Sequence, residues 1–212
     1  TAQGVIQMLH TETVEPSTLD LLRRLQRLPD LTSTRLVGGT ALALHLGHRK
    51  SVDLDMFGTF DPIVSYRKLL ADAGHSVEGA ENGTVQSLRV NNVKVDLVNY
   101  PYPWLDDAIE EGNIRLAGLR DIAAMKLSAV ANRGRKKDFI DVARLLDVFS
   151  LDQMLSLYKE KFSVSELSFP LRGLMYFDDA EEDPMPEMFD SNFTWENVKK
   201  TVVAATRKYV LT

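Results

Sequence analysis

The amino-acid sequence predicts an α+β fold, in which a mixed β-sheet flanked by helices precedes a mainly helical C-terminal part. Two patterns support this prediction. Apolar and polar residues alternate at 84–90 and again at 93–98, which is typical of a β-hairpin. From about residue 121 onward, apolar residues recur at helical spacing. We therefore expect a sheet-bearing domain at 1–104 and a helical domain at 105–212 that completes a cleft.

The elements of the first domain follow from local signals. Leucines on one side predict a helix from about Pro16 to Leu28. A strand then ends at Gly38-Gly39 and leads into a short helix, Thr40 to Leu46. A helix from about Asp61 to Ala73 is expected to stop at the following glycine. Asn91-Asn92 supplies the turn of the hairpin.

Two aspartates, Asp53 and Asp55, follow the glycine pair on what reads as the next strand. Alternate residues of a strand share a face, and two carboxylates on one face repel each other unless a cation lies between them. Oxygen ligands favour a hard divalent cation. The alternative is a solvated strand face, which is the commoner setting for a lone Asp-x-Asp.

A third carboxylate, Asp96, lies on the polar face of the second hairpin strand. If that strand pairs beside the strand of Asp53, three carboxylates converge in the arrangement that holds two Mg²⁺ ions for displacement at phosphorus. The alternative is a charged residue on an exposed sheet face.

The glycine pair predicts a phosphate-binding turn. Residues without Cβ let backbone amides approach a ligand closely, and the N-terminus of the next helix carries partial positive charge. A glycine pair is also common in ordinary turns, so this interpretation depends on the nearby aspartates.

Lys126 lies in an apolar helix, where its ammonium needs an anionic partner. A continuous helix would align Lys126, Arg133 and Lys137 as a cationic stripe facing phosphates. The alternative is a lysine that snorkels at the edge of the core. Further helices are predicted from about Lys136 to Phe149, Asp152 to Phe162 and Trp195 to Leu211.

These motifs resemble those of the polymerase-beta-like minimal nucleotidyltransferase superfamily. The resemblance is closer to its AbiEii/AbiGii-toxin type and runs from about residue 36 to 146. It implies a nucleotidyltransferase-like fold and a metal-dependent enzyme that uses a nucleoside triphosphate and Mg²⁺ or Mn²⁺. It also implies an RNA acceptor such as tRNA and a cognate antitoxin. The motifs are Gly38-Gly39-Thr40, His48-Arg49-x-Ser51-x-Asp53-Leu54-Asp55, Val95-Asp96-Leu97 and the block 121–141.

The resemblance also implies roles for individual residues. Asp53, Asp55 and Asp96 would bind the metal and take part in catalysis. A basic residue in one helix and an acidic residue in the next belong to the signature, which points to Lys126 with either Asp138 or Asp141. The alternative is ordinary surface ion pairs, of Asp138 with Arg133, Arg135 or a neighbouring lysine and of Asp141 with Arg144. The implied nucleotide-binding set is Gly38, Gly39, Thr40, Ser51, Lys126 and Arg133.

Composition limits the remaining possibilities. The chain has 212 residues, 44% of them hydrophobic, without an apolar run long enough to cross a bilayer, so we expect a soluble, cytoplasmic protein with no membrane partner. The absence of cysteine excludes disulfides and thiol chemistry. The net charge is −5, yet the basic cluster 133–137 would attract RNA phosphates. The acidic segment 178–183 would repel RNA and suits a basic partner.

Two other functions are compatible with the motifs. One is a non-catalytic nucleotide-binding module that acts through a protein partner. The other is a related phosphotransferase, which would release a nucleoside diphosphate where a nucleotidyltransferase releases pyrophosphate.

Overall fold

The computed structural model describes residues 8–191 and 193–211. The chain forms two compact units. The first runs to Pro101 and also includes Ala108–Leu116, and the second contains Tyr102–Asp107 and the chain from Ala117 onward. The sequence places the domain change near residue 104, whereas the chain returns once more to the first unit before entering the helices.

The first unit is built on one seven-stranded sheet. Its strands lie in the order β3-β4-β5-β2-β1-β7-β6. β2 pairs with β5 and β1 with β7 in parallel, while the other neighbours are antiparallel, so the sheet is mixed as predicted. The strands are β1 (Arg35–Val37), β2 (Leu54–Gly58), β3 (Val77–Asn82), β4 (Val85–Val90), β5 (Val93–Asn99), β6 (Ile109–Glu111) and β7 (Ile114–Leu116).

Three helices accompany this sheet: α1 (Pro16–Leu25), α2 (Gly38–Leu46) and α3 (Tyr66–Asp72). The predicted start of α3 at Asp61 is wrong. The helix begins after Ser65, whose hydroxyl accepts a hydrogen bond from the Lys68 amide at 3.2 Å and donates one to Glu81 Oε2 at 2.7 Å. This cap on Ser65 fixes the start of the helix.

Strands β2 and β5 each bury one face. Leu54, Met56, Val95 and Leu97 have no exposed surface, whereas Asp55 and Asp96 lie at the alternating, half-buried positions. The hairpin of β4 and β5 is confirmed, and both turn asparagines have positive φ, as a tight turn requires. Asp55 and Asp96 therefore lie on the face of the sheet opposite the buried apolar side chains.

The β6–β7 hairpin, which the sequence pattern did not predict, is attached to the first unit through Arg115. Its backbone exchanges two hydrogen bonds with the Gln26 side chain, at 2.9 and 2.8 Å. Its guanidinium donates to the backbone carbonyls of Thr34, Gln26 and Leu31. These contacts join residues more than 80 positions apart. The local pattern of apolar and polar residues therefore cannot predict them.

The second unit is helical. α4 packs against α5, α6 and α7, and α5 packs against α9. The four long helices predicted from the sequence are confirmed, with ends shifted by a few residues, whereas the two short ones were not predicted. The helices are α4 (Leu119–Asn132), α5 (Lys136–Leu145), α6 (Leu151–Phe162), α7 (Ser168–Gly173), α8 (Asp178–Glu181) and α9 (Trp195–Val210).

A buried ion pair holds the segment Tyr102–Asp107 within the second unit. Lys161 Nζ lies 2.6 Å from Asp121 Oδ1, and neither side chain is exposed. The same ammonium donates to the Pro103 carbonyl at 3.0 Å and lies 4.7 Å from the Trp104 ring centre. Asp121 also accepts the backbone amides of residues 105 and 106. Trp104 therefore contacts a structural cation, as expected for an aromatic that covers a core.

Across the described ranges, none of the helices combines the length and the apolar character needed to span a bilayer.

Candidate active site

The centre of the candidate site is the register between Asp55 and Asp96. These residues are direct partners on the parallel strands β2 and β5. On its other side, Asp55 is paired with Val37, the residue before the glycine turn. The predicted pairing of the two carboxylate strands is thus confirmed. Adjacent strands lie about 5 Å apart, so the two carboxylates are neighbours on the sheet.

Gly38 connects the turn to the carboxylates. Its φ is +70°, in the left-handed region that glycine adopts without strain. A Cβ at this position would overlap the carboxylate of Asp55. Both its backbone conformation and its neighbour therefore require a glycine here, directly at the N-terminus of α2.

Asp53 lies one residue before β2 begins, so it is positioned by a loop and not by the strand that was predicted to carry it. Thr40 Oγ1 donates a hydrogen bond to the Asp53 carbonyl and is also paired with Ser51 Oγ at 2.8 Å. Thr40 and Ser51 are buried, with 1% and 8% of their surface exposed. Their hydroxyls thus fix the loop that carries Asp53.

Asp96 is held by two side chains of its own sheet. Ser87 Oγ on β4 donates to Asp96 Oδ1 at 2.7 Å, and Lys94 Nζ lies 2.7 Å from Asp96 Oδ2. The hydrogen bond to Asp96 raises the pKa of Lys94, and the charges of Asp96, Asp55 and Asp53 add to this rise, against the opposing effect of burial. All three predicted carboxylates therefore contribute to the raised pKa of the Lys94 ammonium.

Lys94 is a site residue that sequence reasoning did not select. The signal was present, because Lys94 stands two positions before Asp96 on the same polar strand face. An exposed lysine on a hairpin is common, so the sequence pattern alone does not distinguish Lys94 as a site residue.

The carboxylate trio fits a divalent cation in donor chemistry and in strand position. All donors are carboxylate oxygens, which Mg²⁺ and Mn²⁺ prefer. Within the described residues, however, no three acidic or histidine side chains are arranged as a ready metal cluster. Both Asp96 oxygens are engaged, by Ser87 and by Lys94. A cation held by Asp53, Asp55 and Asp96 would therefore take the place of the Lys94 ammonium at Asp96.

The second unit contains a separate buried charge cluster around Lys126. Lys126 Nζ lies 2.6 Å from Asp141 Oδ2 and 3.0 Å from Asp138 Oδ1. Both carboxylates are completely buried, and Lys126 is 4% exposed. Arg133 Nε donates to Asp138 Oδ2 at 3.0 Å, while 58% of the Arg133 side chain remains exposed. The sequence left a choice between the two aspartates, and the structure brings both to Lys126.

Charges within this cluster stabilise its ionised form. Burial opposes ionisation of Asp138, but the positive charges of Lys126 and Arg133 outweigh it and hold the pKa of that carboxyl below its usual value. The alternative of a lysine that snorkels at the edge of the core is wrong, because Lys126 is buried. The alternative pairing of Asp138 with Arg133 is present, but the carboxylates of Asp138 and Asp141 lie inside the unit and not on its surface.

The predicted cationic stripe of Lys126, Arg133 and Lys137 is also wrong. α4 ends at Asn132 and α5 begins at Lys136. Gly134, with φ of +49°, turns the chain between them. The helical spacing is therefore interrupted, and Lys126 points into the carboxylate cluster.

The basic cluster and the acidic segment neutralise each other within the second unit. Arg135 forms two hydrogen bonds of 2.7 Å with Asp183. The Lys136 amide donates to the same carboxylate at 3.0 Å, and its ammonium donates to the Glu181 carbonyl at 2.9 Å. Glu181 in turn pairs with Lys199 at 2.9 Å. Part of the charge that suggested RNA or a basic partner is thus used inside the chain.

A family model described as "Nucleotidyl transferase AbiEii toxin, Type IV TA system" matches residues 20–208. The chain belongs to the AbiEii family. An uncharacterized protein of Aquifex aeolicus (strain VF5) is 31% identical to it over 184 residues, which cover 82% of this chain and 87% of that protein. The predicted family is confirmed, and this AbiEii-family chain is a nucleotidyltransferase.

Two solved structures are similar to this AbiEii-family chain in fold. One is a presumed nucleotidyltransferase from H. pylori, with a TM-score of 0.56 and 17% identity, covering 92% of this chain and 96% of that one. The other is JHP933 from Helicobacter pylori, with a TM-score of 0.52 and 17% identity, covering 92% and 94%. At this identity the likeness shows the fold, and it confirms the predicted fold class.

Proposed function

We propose that this AbiEii-family chain transfers a nucleoside monophosphate from a nucleoside triphosphate to a hydroxyl of RNA, such as tRNA, in the presence of Mg²⁺ or Mn²⁺. We further propose that it acts in the cytoplasm as the toxin of a toxin–antitoxin pair. The observation that carries the proposal is the juxtaposition of Asp55, its register partner Asp96 and the Gly38 turn. Carboxylates and backbone amides that lie together at one position of the sheet suit a triphosphate with its metal ion.

The residues of the first unit have three proposed roles: metal binding, phosphate binding and positioning of the Asp53 loop. Asp53, Asp55 and Asp96 would hold the divalent cation, which would supply positive charge to neutralise phosphoryl oxygens. The amides of Gly38 and Gly39, at the positive N-terminus of α2, bind phosphates of the nucleotide. Thr40 and Ser51 act indirectly, because their buried hydroxyls fix the loop of Asp53.

The chemical step is an in-line displacement at the α-phosphorus. The acceptor hydroxyl oxygen forms a bond to that phosphorus, while the bond to the bridging oxygen toward the β-phosphate breaks and pyrophosphate leaves. The Asp96 carboxylate takes the proton of the attacking hydroxyl.

The second unit contributes through Arg133. Lys126, Asp138 and Asp141 form the buried support on which this arginine is held. Lys126 is enclosed by two carboxylates, so within this unit we assign phosphate binding to the exposed guanidinium of Arg133. Lys126, Asp138 and Asp141 then act as positioning residues.

A transfer assay tests the proposal. The protein is incubated with each nucleoside triphosphate labelled at the α-phosphate, Mg²⁺, and either total RNA or total protein. We expect label on RNA, release of pyrophosphate, and loss of transfer in Asp55→Asn and Asp96→Asn. Asp72→Asn, at an exposed position of α3, is the matched control and should transfer normally.

Other outcomes of this assay would contradict the proposal in separate ways. Label on protein alone would refute the RNA acceptor. Release of a nucleoside diphosphate would identify a phosphotransferase. Nucleotide binding without transfer to RNA or protein would favour the non-catalytic module. Growth arrest on expression of the wild type, and not of Asp55→Asn, tests the toxin role.

A further inference from the structure

The second unit contains a small open cavity of about 210 Å³. It lies where the C-terminal end of α4 meets α7 and the segment that follows α7. Among the residues that line this cavity, only Arg133 has a role in the function proposed above. Its lining is formed by Val130, Ala131, Asn132, Arg133, Gly134, Phe169, Arg172, Gly173, Tyr176 and Asp179.

Close backbone packing shapes the floor of the cavity. A Cβ on Gly173 would lie 2.7 Å from the Ala131 Cα, so α7 approaches α4 closely only because residue 173 is a glycine. Gly134 turns the chain away at the end of α4, with φ of +49°. The floor is thus made largely of backbone and small residues.

Two guanidinium groups lie on the walls. Arg133 is fixed by Asp138, which is completely buried, and 58% of its side chain is exposed. Arg172 on α7 is exposed and makes no ion pair with the part of the chain that the structure describes. Guanidinium groups pair well with phosphate oxygens, because their planar donors can bind two oxygens at once.

Two aromatic rings lie on the same walls. Phe169 is 43% exposed and Tyr176 is 50% exposed, although large apolar side chains are usually buried. Exposed rings beside cationic groups are the usual means of binding unpaired bases, since a base stacks on the ring while a cation meets its phosphate. Asp179, which accepts the Tyr176 hydroxyl at 3.3 Å, offers an acceptor for base N–H groups.

We propose that this cavity binds one unpaired nucleotide of the RNA acceptor, with its base against Phe169 and Tyr176 and its phosphate at Arg172 and Arg133. This inference rests on the proposed function, because it names how the RNA substrate is held. The small size of the cavity suits one unstacked base better than a stacked and paired one. Specificity for a single-stranded end or loop follows, since bases in a duplex are stacked and paired.

The combination of groups favours RNA over a protein partner. A protein-binding patch could use the two rings alone, but two arginines and two aromatic rings that line one cavity complement an anionic, planar ligand. Loss of protein binding with RNA binding unchanged, which would mark the cavity as a protein site, is one of the outcomes below.

The test measures binding of a short fluorescent single-stranded RNA and of the same RNA as a duplex, using the full chain. Arg172→Gln, Phe169→Leu and Tyr176→Leu should each weaken single-strand binding by roughly tenfold, while binding of a nucleoside triphosphate is unchanged. The controls are Arg207→Gln on α9 and Phe189→Leu, which replace an exposed arginine and a ring 49% exposed outside the cavity. Both should bind like the wild type.

The outcomes separate this inference from the proposed function. If the wild type transfers label to RNA and the cavity variants bind RNA as tightly as the controls, the cavity assignment is wrong and the transfer activity stands. If the wild type binds the triphosphate but neither binds nor labels RNA, the RNA acceptor itself is wrong. If the cavity variants lose binding of the cognate antitoxin and keep RNA binding, the cavity is a protein site and our inference is overturned.

Discussion

Lys94 Nζ and Asp96 Oδ2 lie 2.7 Å apart on the polar face of β5. This ion pair occurs at the carboxylate that we assign to metal binding, and its ammonium also responds to the charges of Asp53 and Asp55. A divalent cation and Lys94 would therefore compete for the same oxygen.

We expect Lys94→Met to tighten metal binding. Lys94 is 47% exposed, so the pair contributes at most about 1 kcal/mol, and its removal should lower the dissociation constant for Mn²⁺ by about threefold. Calorimetric titration without nucleotide measures this directly. Lys68→Met, an exposed lysine on α3, is the control. Weaker metal binding in Lys94→Met would show that the ammonium supports the site.

Gly38→Ala should separate a stability effect from a loss of activity. The left-handed φ of +70° costs an alanine roughly 1–2 kcal/mol, and the new methyl group would displace the Asp55 carboxylate. Gly74→Ala carries the same kind of backbone strain, at φ of +88°, in open space. Urea denaturation should show both variants destabilised, whereas only Gly38→Ala should lose transfer activity. Equal activity of the two variants would refute the role of the Gly38 turn.

Much of the first unit was predictable because its signals are local. The alternation of β4 and β5, the asparagine turn between them and the glycine pair each lie within a few residues. The position of Asp96 beside Asp55 followed from one assumption about strand pairing, which β2 and β5 satisfy. By contrast, β6 and β7 have three residues each, too few for a periodic pattern.

The buried charges were harder to predict because their partners are distant in the sequence. Lys161 meets Asp121 across 40 residues, and Arg135 meets Asp183 across 48. Each of these residues has plausible partners closer in sequence, so spacing alone selects the wrong ones. For Lys126, the apolar helix predicts an anionic partner without saying which one. The family resemblance points to Asp138 or Asp141, and the structure shows both carboxylates at its ammonium.

Lys126→Met should destabilise the protein strongly. It would remove the ammonium that lies between the buried carboxylates of Asp138 and Asp141, and removing one partner of a buried pair typically costs about 3–5 kcal/mol. Urea denaturation measures the loss. Lys137→Met replaces an exposed lysine eleven positions later and should change stability little. The double variant Lys126→Met/Asp141→Asn should recover part of the loss, and a neutral effect of Lys126→Met alone would contradict the buried cluster.

Acidification should weaken the protein through Asp138. The folded-state pKa of this carboxyl lies below its ordinary value of 3.8, so its contribution to stability is complete above that value. It is lost as the pH falls from 3.8 through the folded-state pKa, because protonation then removes the negative charge that pairs with Lys126 and Arg133. The free energy of unfolding, measured by urea titration between neutral and acidic pH, should therefore decline more steeply in the wild type than in Asp138→Asn. Asp72→Asn, which replaces an exposed carboxylate, should keep the wild-type slope. If the free energy of unfolding declined equally in the wild type and in Asp138→Asn, the pKa of this carboxyl would not be lowered by Lys126 and Arg133.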